Sequence, residues 1–324
     1  MSPATPDNRL NEYLIRLNRS IDFVQHHYAE NLNLAKLAEI ACFSKYHFHR
    51  IFSALIGETV NDFVQRVRLE KSAQELILNK DRSITEIGLA CGFSSSQNFA
   101  RRFKAHFGVP PSFVRKEFNW QAWLVKMKQL QVKAGRNLNA DELGWIDHYL
   151  RQRGLSIQKI LACPPRMEVR VKHLPSLRVA YVRSLGPYLE ENIRPAFSRL
   201  LRWARPKDLA GAEATVLGVV WSNSDFTPRE QMVYDACLVV PEAIRADTTV
   251  NIQVLPEGRF AIYRCALTSG QHQEAWMHLL LNWLAASDYQ PDNRPAYEIF
   301  RSAPTHAADP VELELCLPIK PLNV

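Results

Sequence analysis

Two short stretches of this chain carry the same uncommon mixture of side chains. Lys45, Tyr46, His49 and Arg50 interleave with Phe48 and Phe52, and Ser95, Gln97, Asn98, Arg101 and Arg102 interleave with Phe99 and Phe103. At helical spacing the phenylalanines fall on one face and the polar residues on the other. Arginine, glutamine and asparagine can each make two hydrogen bonds to a single base edge in the major groove of DNA. The competing reading is two solvated helix faces, which leaves the pairing of such sets on repeated units unexplained.

Elements must hold those faces in place. Leu10, Leu14, Leu17, Ile21, Val24 and Tyr28 recur every three or four residues, which predicts an amphipathic helix with one buried stripe. Leu34, Leu37, Ala38 and Ala41 predict a second, short helix. Ser44 is placed to cap a third, with Phe48, Phe52 and Leu55 inward and Gly57 at its end. Thr59 opens a longer helix to Leu78, with Phe63, Val67 and Ala73 as core contacts. The pattern then recurs. Ser83-Ile-Thr-Glu86 has the form of a capping box, a short helix runs to Ala90, and Gly92 turns the chain. A further helix opens at Ser94, with Phe99, Phe103 and Phe107 inward and Gly108 at its end. Two units of short helix, turn and longer helix therefore follow one another. The helix joining them, at 1.5 Å per residue, is about 30 Å long. Successive major-groove faces lie about 34 Å apart, so one rigid helix can hold two readers in adjacent grooves.

These residues resemble the AraC/XylS family of regulators. Leu37-Ala38-x-x-Ala41-x-Phe43-Ser44-x-x-x-Phe48-x-Arg50-x-Phe52-x4-Gly57 is similar to its first unit. Ile87-Gly-Leu-Ala90-x-Gly92-Phe93-x5-Phe99-x3-Phe103-Lys104-x3-Gly108-x-Pro-Pro111-x3-Arg115 is similar to its second. The resemblance covers residues 10–117. It implies that Tyr46, His49 and Arg50 meet bases from the first helix and that Gln97, Asn98 and Arg101 do so from the second. Three positions depart from the family pattern. Cys42 stands where a turn glycine is frequent, His49 where a glutamine often stands, and Val114 in a usually aromatic place, with Phe113 one residue early.

Beyond Pro164-Pro165 the pattern changes to strands, and it too repeats. Leu174-Pro-Ser-Leu-Arg-Val-Ala-Tyr-Val-Arg183 resembles Leu255-Pro-Glu-Gly-Arg-Phe-Ala-Ile-Tyr-Arg264 at a spacing of 81 residues. Each copy continues into a glycine-containing loop and a helix, expected over 188–204 and 271–286. Two strands follow in each, over 215–221 and 233–240, then 296–301 and 311–317. Two ββ-α-ββ-like copies closing a cleft are expected. In the last strand Leu313, Leu315 and Leu317 share one face, leaving Glu312, Glu314 and Cys316 on the other. Glu298 and Phe300 alternate with Tyr297 and Ile299. A carboxylate in an apolar strand is costly to bury unless a cation or hydrogen-bond donor meets it, and an exposed or Arg-paired glutamate remains the open alternative.

The doubled unit, with Pro-Ala-Tyr-Glu298-Ile-Phe and Glu-Leu-Cys-Leu-Pro-Ile319, resembles the GyrI-like effector-binding domain over residues 167–320. That resemblance implies a small, cationic and hydrophobic effector, with Glu298 as the central glutamate and Glu314 as a second. Phe300, Trp221 and Tyr263 are the candidate pocket aromatics, and Cys316 stands where a tyrosine is usual. Some such domains are hydrolases that use a glutamate and an aromatic hydroxyl, and others act as protein-interaction or inhibitor modules. No nucleophile–base pair or metal cluster stands out, so neither catalysis, a cofactor nor a metal is expected.

Composition sets the frame. The 324 residues are 47% hydrophobic and 23% charged, with a net charge of +7, as in ordinary globular proteins. Lys and Arg number 16 against 12 Asp and Glu in residues 1–120, 8 against 3 in 121–166, and 16 against 18 in 167–324. The basic excess thus lies in the first half, where a polyanion would dock. The six cysteines form no metal or disulfide spacing and read as free thiols. The start, MSPATPDNRL, has neither the basic nor the apolar region of an export signal, and no apolar run is long enough to span a bilayer. The expectation is a multidomain chain. An all-α double helix-turn-helix domain occupies 1–118, a basic, partly helical linker 119–166, and a GyrI-like α+β domain of two duplicated units 167–324. Such a regulator would be cytoplasmic and nucleoid-associated, a monomer or weak dimer without membrane contact. Its partners would be double-stranded DNA, a small-molecule effector and RNA polymerase.

Overall fold

The computed structural model describes residues 6–79, 81–117, 167–211, 213–222, 227–268, 270–301 and 310–322. The linker expected over 119–166 lies outside the described residues. The first half is helical: α1 (Pro6–His27), α2 (Leu34–Ile40), α3 (Lys45–Ile56), α4 (Val60–Leu78), α5 (Ile84–Ala90), α6 (Ser96–Phe107) and α7 (Pro111–Glu117). Ser44, Thr59 and Ser83 cap α3, α4 and α5, each accepting the backbone N–H three residues on. The capping box of Ser83 and Glu86 is closed in both directions. Gly57 and Gly108 end α3 and α6 in the left-handed conformation that favours glycine.

Two apolar cores sit side by side along α4. Leu17, Ile21 and Val24 of α1, Leu37 and Ala38 of α2, and Phe48 and Phe52 of α3 pack with Phe63, Val64 and Val67 at the start of α4. Ile87, Phe93, Phe99, Phe103 and Val114 pack with Leu69, Ala73 and Leu76 at its other end. One continuous helix is therefore built into both units, and its 19 residues make a rod about 28 Å long. Arg66, nearly buried on α4, pairs with Glu58 at 2.6 Å and Glu70 at 2.9 Å, tying the α3–α4 turn to the rod.

By packing, the described chain divides into two compact units. One gathers Met1–Glu117 with Ser176–Pro256, and the other holds the remaining described residues. In the first, β3 (Val216–Val220), β4 (Val233–Val239), β2 (Leu177–Leu185) and β5 (Asn251–Leu255) lie side by side, antiparallel in that order. Helix α8 (Glu190–Ala204) covers one face, against Ala180, Val182, Ala236 and Leu238. In the second, β1 (Val169–Leu174), β6 (Gly258–Leu267), β9 (Val311–Pro321) and β8 (Ala296–Phe300) follow the same plan, with β7 (Tyr289–Pro291) on the end of β9. Here α9 (His272–His278), continued by a π-helical turn over Leu279–Leu284, covers Ala261, Tyr263, Leu313 and Leu315.

The repeat is thus present, with strand pairings that the sequence pattern did not contain. Strands β1 and β2 are adjacent in sequence, yet β1 pairs with β6, while β5, which precedes β6, pairs with β2. The first strand of each copy completes the sheet of the other. Two local expectations need correction, and a third position stands as read. Leu10 is 45% exposed, so the buried stripe of α1 begins later, at Ile15. Ser95, not Ser94, caps α6, because its hydroxyl is the one that accepts the N–H of Asn98. Val114 fills the place in the second core, and Phe113 is left exposed.

Candidate functional site

Lys45, Tyr46, His49 and Arg50 are all exposed on α3, and Gln97 and Arg101 are exposed on α6. Burial of Phe48 and Phe52 on one helix and of Phe99 and Phe103 on the other forces this orientation. Tyr46 and Arg50, one turn apart, stack with the guanidinium 5.6 Å from the ring centre. Tyr46 is 71% exposed, and the stacked pair presents one flat, cationic ridge. On α6 the polar face is more internally bonded. Asn98 donates to the Ser94 hydroxyl at 3.0 Å, and Arg102 donates to the Asn98 side-chain oxygen at 3.2 Å. Ser95, Asn98 and Arg102 are half-buried, and the Ser95 hydroxyl is engaged as the cap. Arg101 and Gln97 are the side chains that project.

Two equivalent turns aim these helices. In each, a residue in left-handed conformation follows the short helix: Cys42 at φ 54° and Gly92 at φ 88°. The same backbone bonds close both, from Cys42 to Glu39 and Phe43 to Ala38, and from Gly92 to Leu89 and Phe93 to Gly88. Gly88 is needed as well, because a β-carbon there would lie 2.6 Å from the Phe99 ring. Arg115 of α7 donates to the Arg82 carbonyl at 2.9 Å, which fastens the last helix to the start of the second unit.

The six side chains expected to line an effector pocket do not share one face. Glu298 and Phe300 register with Leu315 and Leu313, and Tyr263 also registers with Leu315, so these three face the α9 side. Glu298 is 7% exposed, and Trp276 of α9 donates its indole N–H to the carboxylate at 3.0 Å. Beside it, burial pushes the Cys265 thiol up to about 12, and the Glu298 charge adds to that. Glu314 and Cys316 lie on the opposite face, as strand alternation demands. Glu314 pairs there with Arg301 at 2.7 Å. Trp221 belongs to the other unit, where its ring meets His26 edge-on at 5.7 Å.

Sequence reasoning missed the most heavily bonded polar cluster. On the face of β2 and β4 turned away from α8, Arg183 makes two bonds to Asp235, both at 2.7 Å, and one to Asp22 of α1 at 2.8 Å. The Trp221 indole and the Gln253 amide also donate to Asp235, at 2.7 and 2.9 Å, and the Tyr181 hydroxyl bonds Asp22. Side-chain exposure is 2% at Arg183, 0% at Asp235 and 17% at Asp22. Burial is the largest influence on the Asp22 carboxyl and raises it above the ordinary value. A signal was present: Asp235 interrupts an apolar strand just as Glu298 does.

Residues 37–117 match a helix-turn-helix domain family, and residues 167–320 match the GyrI-like small molecule binding domain. The Tn10 TetD protein of Escherichia coli is 37% identical over 99 residues, 31% of this chain and 71% of that protein. The chain belongs to the AraC-type family of transcriptional regulators. Within that family, the transcriptional activator AarP of Providencia stuartii is 30% identical over 93 residues, 29% of this chain and 68% of AarP. The right origin-binding protein of Escherichia coli K12 is 33% identical over 104 residues, 32% of this chain but only 36% of that protein. As an AraC-type regulator, the chain binds DNA through its helix-turn-helix half and carries a small-molecule-binding domain after it.

Proposed function

We propose that α3 and α6 enter successive major grooves on one side of the duplex. Tyr46, His49 and Arg50 read from the first, and Gln97 and Arg101 from the second. Lys45 and Ser95 stand at the helix starts, and Asn98 with Arg102 forms a braced pair at the groove edge. The observation that carries this reading is α4, one helix built into both cores, with a projecting polar face on either side of it. A single chain thereby supplies two readers, which suits asymmetric DNA bound by a monomer or weak dimer, with RNA polymerase as neighbour. The first domain then spans 1–118. Arg50→Ala and Arg101→Ala are each expected to weaken specific binding by about 1–3 kcal/mol and to relax discrimination at one base position. Footprinting on a selected operator should show two protected segments about one turn apart. A single segment, indifferent to Arg101→Ala, refutes the two-reader geometry.

A second reading concerns the effector. The Glu298 carboxylate is buried on the sheet face that also carries Tyr263 and Phe300, and the Trp276 indole donates to it at 3.0 Å. A carboxylate in such surroundings attracts an organic cation more strongly than it would in water, while a neutral ligand gains little from it. The small molecule is accordingly a cation with apolar or aromatic bulk. The chain acts as a regulator and not as an enzyme.

A further inference from the structure

The cluster around Arg183 joins the DNA-binding helices to the small-molecule-binding domain. Helix α1 turns Leu17, Ile21 and Val24 into the first helical core, and from another side of the same helix Asp22 reaches Arg183. On β2 and β4 the residues alternate. Ala180, Val182 and Ala236 meet α8, whereas Tyr181, Arg183 and Asp235 meet α1. A shift of α8 over the sheet is therefore one residue away from the partners of Asp22. The duplication supplies an internal comparison. Arg264 is the repeat counterpart of Arg183, and it pairs with Glu312 at 2.8 Å, but at 67% and 52% side-chain exposure. The counterpart pair stands in solvent, where such bridges contribute little. The pair under α1 is desolvated, so removing one charged partner leaves the other buried and uncompensated.

We propose that Asp22, held by Arg183, Tyr181 and, through Arg183, Asp235, is the joint that couples the reading helices to the small-molecule-binding sheet. Docking leaves α3 and α6 exposed, so the joint does not block DNA. It makes the two parts one cooperative body, and a ligand of either part then stabilises both. A ligand-induced movement of β2 or β4 reaches the DNA-binding helices by this route. The inference rests on the regulator reading only in taking DNA as the ligand of α3 and α6.

The chain carries its own reporter. All seven tryptophans lie at position 120 or beyond, and none belongs to the helices of residues 1–117. Trp221 meets His26 of α1, whereas Trp203, Trp276 and Trp283 pack in the cores under α8 and α9, so the emission reports chiefly the small-molecule-binding domain. The full chain is melted at low salt with and without a mixed-sequence DNA duplex, and duplex binding is followed separately by anisotropy. In the parent, duplex at about 100 times its Kd should raise the tryptophan-reported midpoint by about 5 °C or more. Asp22→Ala should still bind duplex, yet show a rise below about 1 °C. Tyr181→Phe keeps the ring in the sheet, removes only the hydroxyl that meets Asp22, and should fall between the two. A purely structural role for Asp22 would lower all midpoints and keep the duplex-induced rise. That result overturns the joint, as does a parent that binds duplex without any rise. If Asp22→Ala does not fold, an undiminished rise in Tyr181→Phe overturns it alone. No effector is added, so failure of the effector reading leaves the outcome untouched.

Discussion

Gly92→Ala and Cys42→Gly exchange residue types at the same point of two equivalent turns, and they should have opposite effects. At Gly92 the backbone has φ 88°, where a β-carbon costs about 1–2 kcal/mol. That β-carbon would also lie 2.8 Å from the carbonyl oxygen of Ala29 and 3.0 Å from Nε of Arg68. Neither neighbour can yield cheaply. Arg68 donates to the carbonyls of Tyr28 and Glu30, both at 2.7 Å, and these bonds fix the segment after α1 to α4. Displacing it sacrifices hydrogen bonds of about 1 kcal/mol each. Gly92→Ala should therefore destabilise residues 1–118 by about 3 kcal/mol. Cys42, at φ 54°, already bears the left-handed strain. Cys42→Gly relieves about 1 kcal/mol of it, while added freedom in the unfolded chain takes back about 0.5–1 kcal/mol. The net is a change of about 0–0.5 kcal/mol on the stabilising side. Both apolar cores close within residues 17–114, so the fragment can be unfolded alone in urea and followed by its helical circular dichroism. The turn also aims α6, so Gly92→Ala should weaken DNA binding under conditions where the fragment is still folded. A cost below about 1 kcal/mol for Gly92→Ala would refute the steric argument. Destabilisation beyond about 1 kcal/mol by Cys42→Gly would refute the strain argument.

Residues 1–118 should shift a DNA duplex without the rest of the chain, with affinity falling steeply as salt rises; a folded, helical fragment that binds nothing at low salt removes this expectation. In isothermal titration, Glu298→Gln should weaken cationic aromatic ligands and spare neutral ones of matched size, and equal loss for both classes rejects the carboxylate as anchor. Among the described cysteines, exposed Cys42 should react with a thiol reagent far faster than Cys91 or Cys265 at pH 8. Burial pushes both of those thiols up to about 12, and mass spectrometry of the first modified peptide decides it.

The helical half was legible in the sequence because its information is local. Caps at Ser44, Thr59 and Ser83, glycines at 57, 92 and 108, and phenylalanines at helical spacing each act within a few residues of themselves. Burying Phe99 and Phe103 is enough to turn Gln97 and Arg101 outward. The duplication of the second half was legible too, since matching Leu-Pro and Arg positions 81 residues apart survive in the chain. Alternation even separated Leu313, Leu315 and Leu317 from Glu314 and Cys316. It could not say which strand lies beside which. Pairing β1 with β6 and β5 with β2 depends on hydrogen bonds between residues 70–94 positions apart, which no local pattern encodes. The same limit hid the partners of Asp22. Arg183 is 161 residues away, and only packing of α1 against β2 makes their charges neighbours. Arg183 and Arg264 occupy equivalent places in the two copies, yet one is buried between two carboxylates and the other lies in water. Residue type and spacing made both arginines available for pairing. Desolvation by a helix from another part of the chain decided which of them became a joint.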